Sequence, residues 1–153
     1  MQELSRYRSD FFGKLREILG NRPDIRIVGD RFVFQSEVFF DTGQAVLKPE
    51  GRAELDKVAT VLLDLDKQIP QDINWVLRVD GHTDVRPIAG GTRTNWDLSA
   101  SRAIAVVQYL ISKGVSPQRL VAAGFGEFQP LDTAANEAAY SRNRRIELKL
   151  TER

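Results

Sequence analysis

The stretch INWVLRVDGHTD, Ile73 to Asp84, followed after a loop by TNWDLSASRAIAVVQYLISKG, Thr94 to Gly114, decides the fold. In its first part Trp75, Leu77 and Val79 alternate with Val76, Arg78 and Asp80, the period of a strand covered mainly on one face, and Gly81 is expected to break that strand. The segment VRPIAGGTRT carries Pro87 and a Gly90-Gly91 pair and reads as a loop. Thr94 and Asp97 then fit a helix N-cap and its N3 partner. The helix is expected from about Asn95 to Lys113, with Leu98, Ile104, Val107, Leu110 and Ile111 on its apolar side and Gly114 as a left-handed C-cap.

Working outward, Leu4, Tyr7, Phe11, Leu15 and Ile18 recur at spacings of three and four, an amphipathic helix that Gly20 and Pro23 stop. Its stripe can pack on the chain's own core or serve as the end of a coiled coil or a dimer contact. IRIVGDRFVFQ reads as two short strands around a Gly29-Asp30 turn. In SEVFFDTGQAVLKPEG, Val38, Phe39 and Phe40 are read as a strand end, Asp41 to Gln44 as a turn, and Pro49 as the first turn of a helix buried through Leu55, Val58, Ala59, Leu62, Leu65 and Ile69. RLVAAGFGE reads as a strand ending in a glycine turn, TAANEAAYS as a short helix, and RRIELKLT as a last strand with Ile146, Leu148 and Leu150 on one face. Strand and helix alternate, which gives an α/β sandwich with a mixed sheet.

Composition excludes several function classes. The 153 residues suffice for one well-buried core, and no stretch approaches the roughly 20 apolar residues of a membrane span. A net charge of +1 with dispersed Lys and Arg gives no basis for nucleic-acid binding. Without cysteine there are no disulfides or thiolate sites, and the single histidine leaves no ligand set of the His or Cys type, so neither metal nor cofactor is expected. The opening MQELSRYRSDFFGKLREILG lacks a signal-peptide core; if the protein acts outside the cytoplasm, the chain is expected to be a piece of something longer.

Catalytic groupings fare poorly. Ser99, His82 and Asp80 lack a nucleophile elbow, and the carboxylates Asp80 and Asp84 lack an apolar pocket to raise one pKa. Gly81, Gly90, Gly91, Gly124 and Gly126 do not have phosphate-loop spacing and are expected to form turns. His82 is expected to hydrogen-bond a neighbouring loop and so hold Asp84. The strongest feature is Asp84 at a strand end with Arg102, eighteen residues on, one helical turn beyond Leu98 and near a helix N-terminus. A carboxylate and a guanidinium converging there make either a receptor for a small zwitterion or a structural salt bridge, and spacing supports both equally.

Four ordered motifs, GHTD at Gly81 to Asp84, NWDLSASRA at Asn95 to Ala103, GFGEFQP at Gly124 to Pro130 and NRRIEL at Asn143 to Leu148, resemble those of the OmpA-like C-terminal domain family, a peptidoglycan-binding module. The resemblance runs from about Phe32 to Thr151, with FFDTGQAVLKPEG as the family's opening strand, turn and helix, and the 85–94 loop with its Pro87 is similar to MotB-type members. It implies a β-α-β-α-β sandwich with a mixed sheet over 24–153, preceded by an N-terminal helix and linker over 1–23. It also implies a domain that binds, without cleaving, the diaminopimelate of the peptidoglycan peptide stem. Asp84 would take the ligand's ammonium and Arg102 its carboxylate, with Leu98 beside the ligand and Phe40, Asp41 and Thr42 bordering the pocket. Thr83 and Asn95, from the same motifs, join the binding set, and in the NRR motif Asn143 would hold a turn while Arg145 stands at the rim. The resemblance further implies a periplasmic protein tethered to the inner membrane by a segment upstream of Met1, with homodimerisation open; a motor role is not carried over. The alternative is an envelope protein-interaction module with a vestigial pocket.

Overall fold

The computed structural model describes residues 2–20, 23–41, 43–86 and 94–153, with side chains from residue 4 onward. Helix α1 (Gln2–Leu19) leads into the hairpin β1 (Ile25–Val28) and β2 (Arg31–Gln35). Then come α2 (Pro49–Gln68), β3 (Trp75–His82), α3 (Asn95–Ser112), β4 (Leu120–Gly124), α4 (Glu137–Asn143) and β5 (Arg145–Glu152). The sheet order is β1-β2-β5-β3-β4, with β3 and β4 parallel and every other pair antiparallel. The mixed α/β sandwich expected from the alternation of elements is the one observed. Among the described residues, no helix is long and apolar enough to cross a membrane.

Residue alternation decides what each face of the sheet does. In β5, Ile146, Leu148 and Leu150 pair with Phe34 and Phe32 of β2 and with Gly81, Val79 and Leu77 of β3. These side chains are buried in one core with Leu55, Val58 and Leu62 of α2 and Ala103, Val106 and Leu110 of α3. The other face carries Asp80 and His82 of β3 opposite Glu147 and Arg145 of β5. It too is buried, so β3 is covered on both faces rather than mainly on one. The polar alternation that reads as solvent exposure is an internal charge layer.

The stripe of α1 packs against α2 and β5 of its own chain. Leu4, Tyr7, Phe11 and Leu15 are buried as expected, but Leu19 and Phe12 complete the stripe while Ile18 is 45% exposed. The four-residue step from Leu15 to Leu19 keeps the helix face that the three-residue step to Ile18 leaves. From here an aromatic file crosses the core: Phe11, Phe12, Phe32, Phe34, Phe39 and Phe40 follow one another at centroid distances of 5.9, 5.6, 5.3, 4.9 and 6.2 Å.

Two other expectations are corrected. Ser36–Val38 is a 3-10 turn and not a strand end, although Phe39 and Phe40 are fully buried as an apolar run requires. On α3 the core face is Leu98, Ala103, Val106 and Leu110, whereas Ile104 and Ile111 are exposed and Val107 only partly buried. The N-terminus of α3 is set by the expected capping box, in which Thr94 and Asp97 satisfy one another's backbone donors.

Gly81 continues β3 instead of breaking it, paired with Gly124 of β4 on one side and Ile146 of β5 on the other. Both glycines serve a close approach of α3. A Cβ at Gly81 would lie 2.2 Å from the Ser99 carbonyl oxygen, and one at Gly124 would lie 2.6 Å from the Ala100 nitrogen. The obstructing atoms are helix backbone, which cannot swing aside. Gly81→Ala is expected to destabilise the fold by about 3 kcal/mol or more in denaturant titration, and a cost under about 0.5 kcal/mol would show that α3 can lift off the sheet. Phe11→Ala, which removes the first ring of the aromatic file, is expected to cost about 3–5 kcal/mol by the same measurement.

Candidate functional site

β3 ends at His82, and Thr83 and Asp84 leave it under the first turn of α3. Thr83 donates its backbone N–H to the Gly126 carbonyl at 2.9 Å, which fixes the strand end to the turn after β4. The Asp84 carbonyl accepts from Thr83 Oγ1 at 2.9 Å and from Asn95 Nδ2 at 3.3 Å; Asn95 Nδ2 also lies 3.1 Å from the Arg86 carbonyl and 3.2 Å from Glu127 Oε1. Thr83, Asp84 and Asn95, all buried, are thus one unit at the end of the sheet.

The Asp84 carboxylate is held by two arginines. Its Oδ1 accepts the Arg86 backbone N–H at 2.9 Å, while Oδ2 accepts Arg86 Nη2 and Arg144 Nη1, each at 2.8 Å. Arg144 is anchored on its other side by Glu37 Oε1 at 2.8 Å, and Arg86 by Glu137 Oε2 at 3.1 Å and the Tyr140 ring at 4.6 Å. Burial pushes the Asp84 carboxyl up, but the hydrogen bonds from Arg86 and Arg144 outweigh it and hold the group below the ordinary carboxylate value. Asp84 is therefore ionised throughout the neutral range. The two guanidiniums are not equivalent, because the Arg86 side chain is 46% exposed and that of Arg144 only 20%. Arg86 is thus the solvent-facing cation on the buried carboxylate, and Arg144 the shielded one.

Arg102, also buried, projects from α3 onto the turn that follows the aromatic file. Its Nε donates to the Gln44 carbonyl at 2.7 Å and its Nη2 to the Asp41 carbonyl at 3.1 Å. Its guanidinium carbon lies 5.1 Å from the centre of the Phe40 ring. Gln44 N–H closes the turn on the Asp41 carbonyl at 3.0 Å, with Gly43 at φ +71° inside it. Phe40, Asp41 and Arg102 form a second unit. Asn95, Leu98 and Arg102 follow at intervals of three and four along α3, so one helix face joins the two units, and Leu98 is buried between them in sequence. Thr42 and the loop residues 87–93, Pro87, Gly90 and Gly91 among them, lie outside the described residues.

The choice between a receptor and a closed Asp84-Arg102 bridge takes a form that spacing did not anticipate: the close ionic partners of Asp84 are Arg86 and Arg144. Arg145, expected at the rim, points to the other face of the sheet, donating to Glu147 Oε2 at 2.6 Å, to the Asn143 carbonyl at 3.0 Å and to the Gln129 carbonyl at 2.7 Å. Buried Glu147 is held down at about 2: burial pushes it up, but His82 and Arg145 beside it more than compensate. The signal that separates the two arginines is strand parity. With Ile146 facing the core, Arg145 must face away from it, and Arg144, one residue before the strand, is left for the pocket. Asn143 holds its turn as expected, accepting from the Leu131 and Asp132 N–H groups at 2.8 and 3.0 Å. His82 does not brace a loop by hydrogen bonding; its ring stacks on Phe125 at 4.9 Å. Ser99 Oγ donates to the Trp96 carbonyl at 3.0 Å and accepts from Gly126 N–H at 2.9 Å, a structural tie rather than a nucleophile. The arrangement places a buried carboxylate and a buried guanidinium where a charged ligand can be recognised.

The family model for the OmpA family matches residues 39–144, which contain all of the site except Glu37. Outer membrane protein A of Bordetella avium is 35% identical over 120 residues, covering 78% of this chain and 57% of that protein. The chain thus spans little more than half the length of that relative. Among solved structures, a MotB-like protein from Desulfovibrio vulgaris superposes with a TM-score of 0.77 at 29% identity, covering 99% of this chain and 98% of the other. The cell wall anchor of the T6SS from Pseudomonas aeruginosa gives 0.68 at 27% identity, covering 97% and 96%. With the motifs in order and the fold shared along its length, the chain belongs to the OmpA family.

Proposed function

We propose that this chain is a non-catalytic module that binds the diaminopimelate-containing peptide stem of peptidoglycan and tethers an envelope protein to the cell wall. Membership of a family of structural and binding domains supports it, as does the similarity to a protein described as a cell wall anchor. The observation that carries the reading is the buried, ionised Asp84, whose outer cation is the exposed, replaceable guanidinium of Arg86. A ligand ammonium that displaces Arg86 exchanges one positive charge for another, so no new charge is left uncompensated in the pocket. Arg144 remains as the fixed counter-ion. The ligand carboxylate goes to Arg102, which Phe40 and the carbonyls of Asp41 and Gln44 orient, and Leu98 supplies the apolar wall.

Thr83 and Asn95 act by positioning the Asp84 backbone. Arg145 is left out of the binding set, and Arg144 takes its place. A periplasmic location, an inner-membrane anchor upstream and dimerisation belong to the same reading. Two charge-assisted contacts to a small ligand give an affinity of about micromolar to millimolar per site, which the many copies of the stem on the wall convert into firm attachment.

Asp84→Ala and Arg102→Ala are each expected to abolish pull-down by diaminopimelate-type peptidoglycan, with folding checked by circular dichroism; undiminished binding by both would overturn the assignment in favour of an envelope protein-interaction module. Arg86→Ala, which vacates the ammonium seat, is expected to tighten binding of free meso-diaminopimelate by up to about fivefold, the equivalent of one exposed ion pair. Weaker binding by that variant would place Arg86 among the ligand contacts instead.

A further inference from the structure

Beside the proposed pocket the chain keeps two large aromatic rings in solvent. Trp96, in the first turn of α3, is 52% exposed, and Phe128, in the turn after β4, is 57% exposed, although each ring covers part of the other. Their centroids lie 5.1 Å apart, with the planes 29° from parallel. The rings of the aromatic file, by contrast, are all buried. An exposed apolar patch rimmed by polar residues marks a place where something binds.

The pair is built, not merely left over. Gly126 lies beneath both rings: a Cβ there would stand 3.3 Å from Trp96 Cδ2 and 3.4 Å from Phe128 Cδ2, and the backbone at φ +62° favours glycine in any case. Both polar groups of Gly126 are tied down, the N–H to Ser99 Oγ and the carbonyl to the Thr83 N–H, each at 2.9 Å. Glu127, between Gly126 and Phe128, accepts from Asn95 Nδ2 at 3.2 Å, and that same amide reaches the Asp84 carbonyl at 3.3 Å. Thr83 precedes Asp84 and Asn95 precedes Trp96, so the rings and the buried carboxylate hang on one hydrogen-bonded frame. The rings are held in place before any ligand arrives, which lowers the ordering cost of binding.

Size and continuity identify the occupant. Aromatic side chains of this kind bury about 150–250 Å² each, so two half-exposed rings offer roughly 200 Å². A stable protein partner needs about 800 Å² on each side, whereas one or two sugar rings are covered by such an area. A pyranose presents an apolar C–H face edged by hydroxyls, and here the apolar rings are flanked in the chain by Asp97, Glu127 and Gln129. In the wall, diaminopimelate is separated from the glycan strand by two residues of the stem, a span on the order of 10 Å. The step from the Asp84 carbonyl through Asn95 to the neighbouring indole is of the same order.

We propose that Trp96 and Phe128 form a stacking platform for an N-acetylated hexosamine of the glycan strand to which the stem peptide is attached. The inference rests on the wall-binding reading and extends it from the peptide to the sugar. The indole N–H adds a hydrogen-bond donor for a hydroxyl or an acetamido carbonyl. The domain then reads both parts of its polymer, charge at Asp84 and Arg102 and ring shape at the platform.

The test compares two matched ligands, the stem tripeptide that ends in meso-diaminopimelate and the same tripeptide carrying its N-acetylglucosamine and N-acetylmuramic acid disaccharide, titrated into ¹⁵N-labelled protein. Of the two indoles Trp75 is 1% exposed, so Trp96 is the reporter. The disaccharide is expected to tighten binding about threefold or more, the scale of one aromatic packing contact, and to shift the Trp96 indole signal. Phe128→Ala and Trp96→Ala, both at exposed positions, are each expected to remove that increment while the tripeptide affinity stays the same, with folding checked in the amide spectrum. Equal affinities of the parent chain for the two ligands, or an increment that survives both substitutions, would overturn the proposal. Failure of the pocket itself reads differently, as no binding of the tripeptide or of free meso-diaminopimelate. The platform is then judged on glycan strands stripped of peptide: a Trp96 indole shift that Phe128→Ala abolishes upholds it, and an indole signal that stays fixed overturns it.

Discussion

The contact between α3 and the two paired glycines Gly81 and Gly124 is the constraint on which the rest of the site depends. With no side chain at either position, the helix backbone at Ser99 and Ala100 rests directly on the end of the parallel strand pair. That depth brings Asn95 within reach of the Asp84 carbonyl and lets Ser99 Oγ capture the turn after β4. Strand end, helix start and turn become one rigid body, and polar groups set on rigid elements hold their geometry better than groups on loops. An alanine methyl at either glycine would displace the recognition residues as a block.

The two halves of the pocket are stabilised by different means. Around Asp84 the problem is a buried negative charge, met by one shielded and one exposed guanidinium and by a backbone N–H. Around Arg102 the partners include carbonyl oxygens and an aromatic face. The aromatic file that begins at Phe11 ends under this arginine, so the packing of the N-terminal helix and the placement of Arg102 share one column of rings.

Most of the architecture was legible in the chain because periodicity and punctuation agree in this sequence. The Gly29 hairpin, the Pro49 helix start, the Thr94–Asp97 capping box and the alternation of β5 all follow from local rules. What could not be read was set by tertiary contact. Gly81 looks like a breaker until a helix is known to lie on it, and Ile104 and Ile111 look like core until the sheet claims the side of α3 that bears Ala103 and Val106. At the site, Asp84 and Arg102 stand out in sequence, but Arg86 and Glu37 carry no motif, and Arg144 had to be separated from Arg145 by strand parity.

The lengths of the strands carry a further meaning. The central β3 and β5 are eight residues each, whereas the edge strands β1 and β4 have only four and five. A short edge offers few unpaired backbone groups to a neighbouring sheet, so copies crowded side by side have little template for edge-to-edge pairing. The tapering of the sheet thus guards against self-association into fibrils, and on the β1 edge the charge of Arg26 adds to that protection.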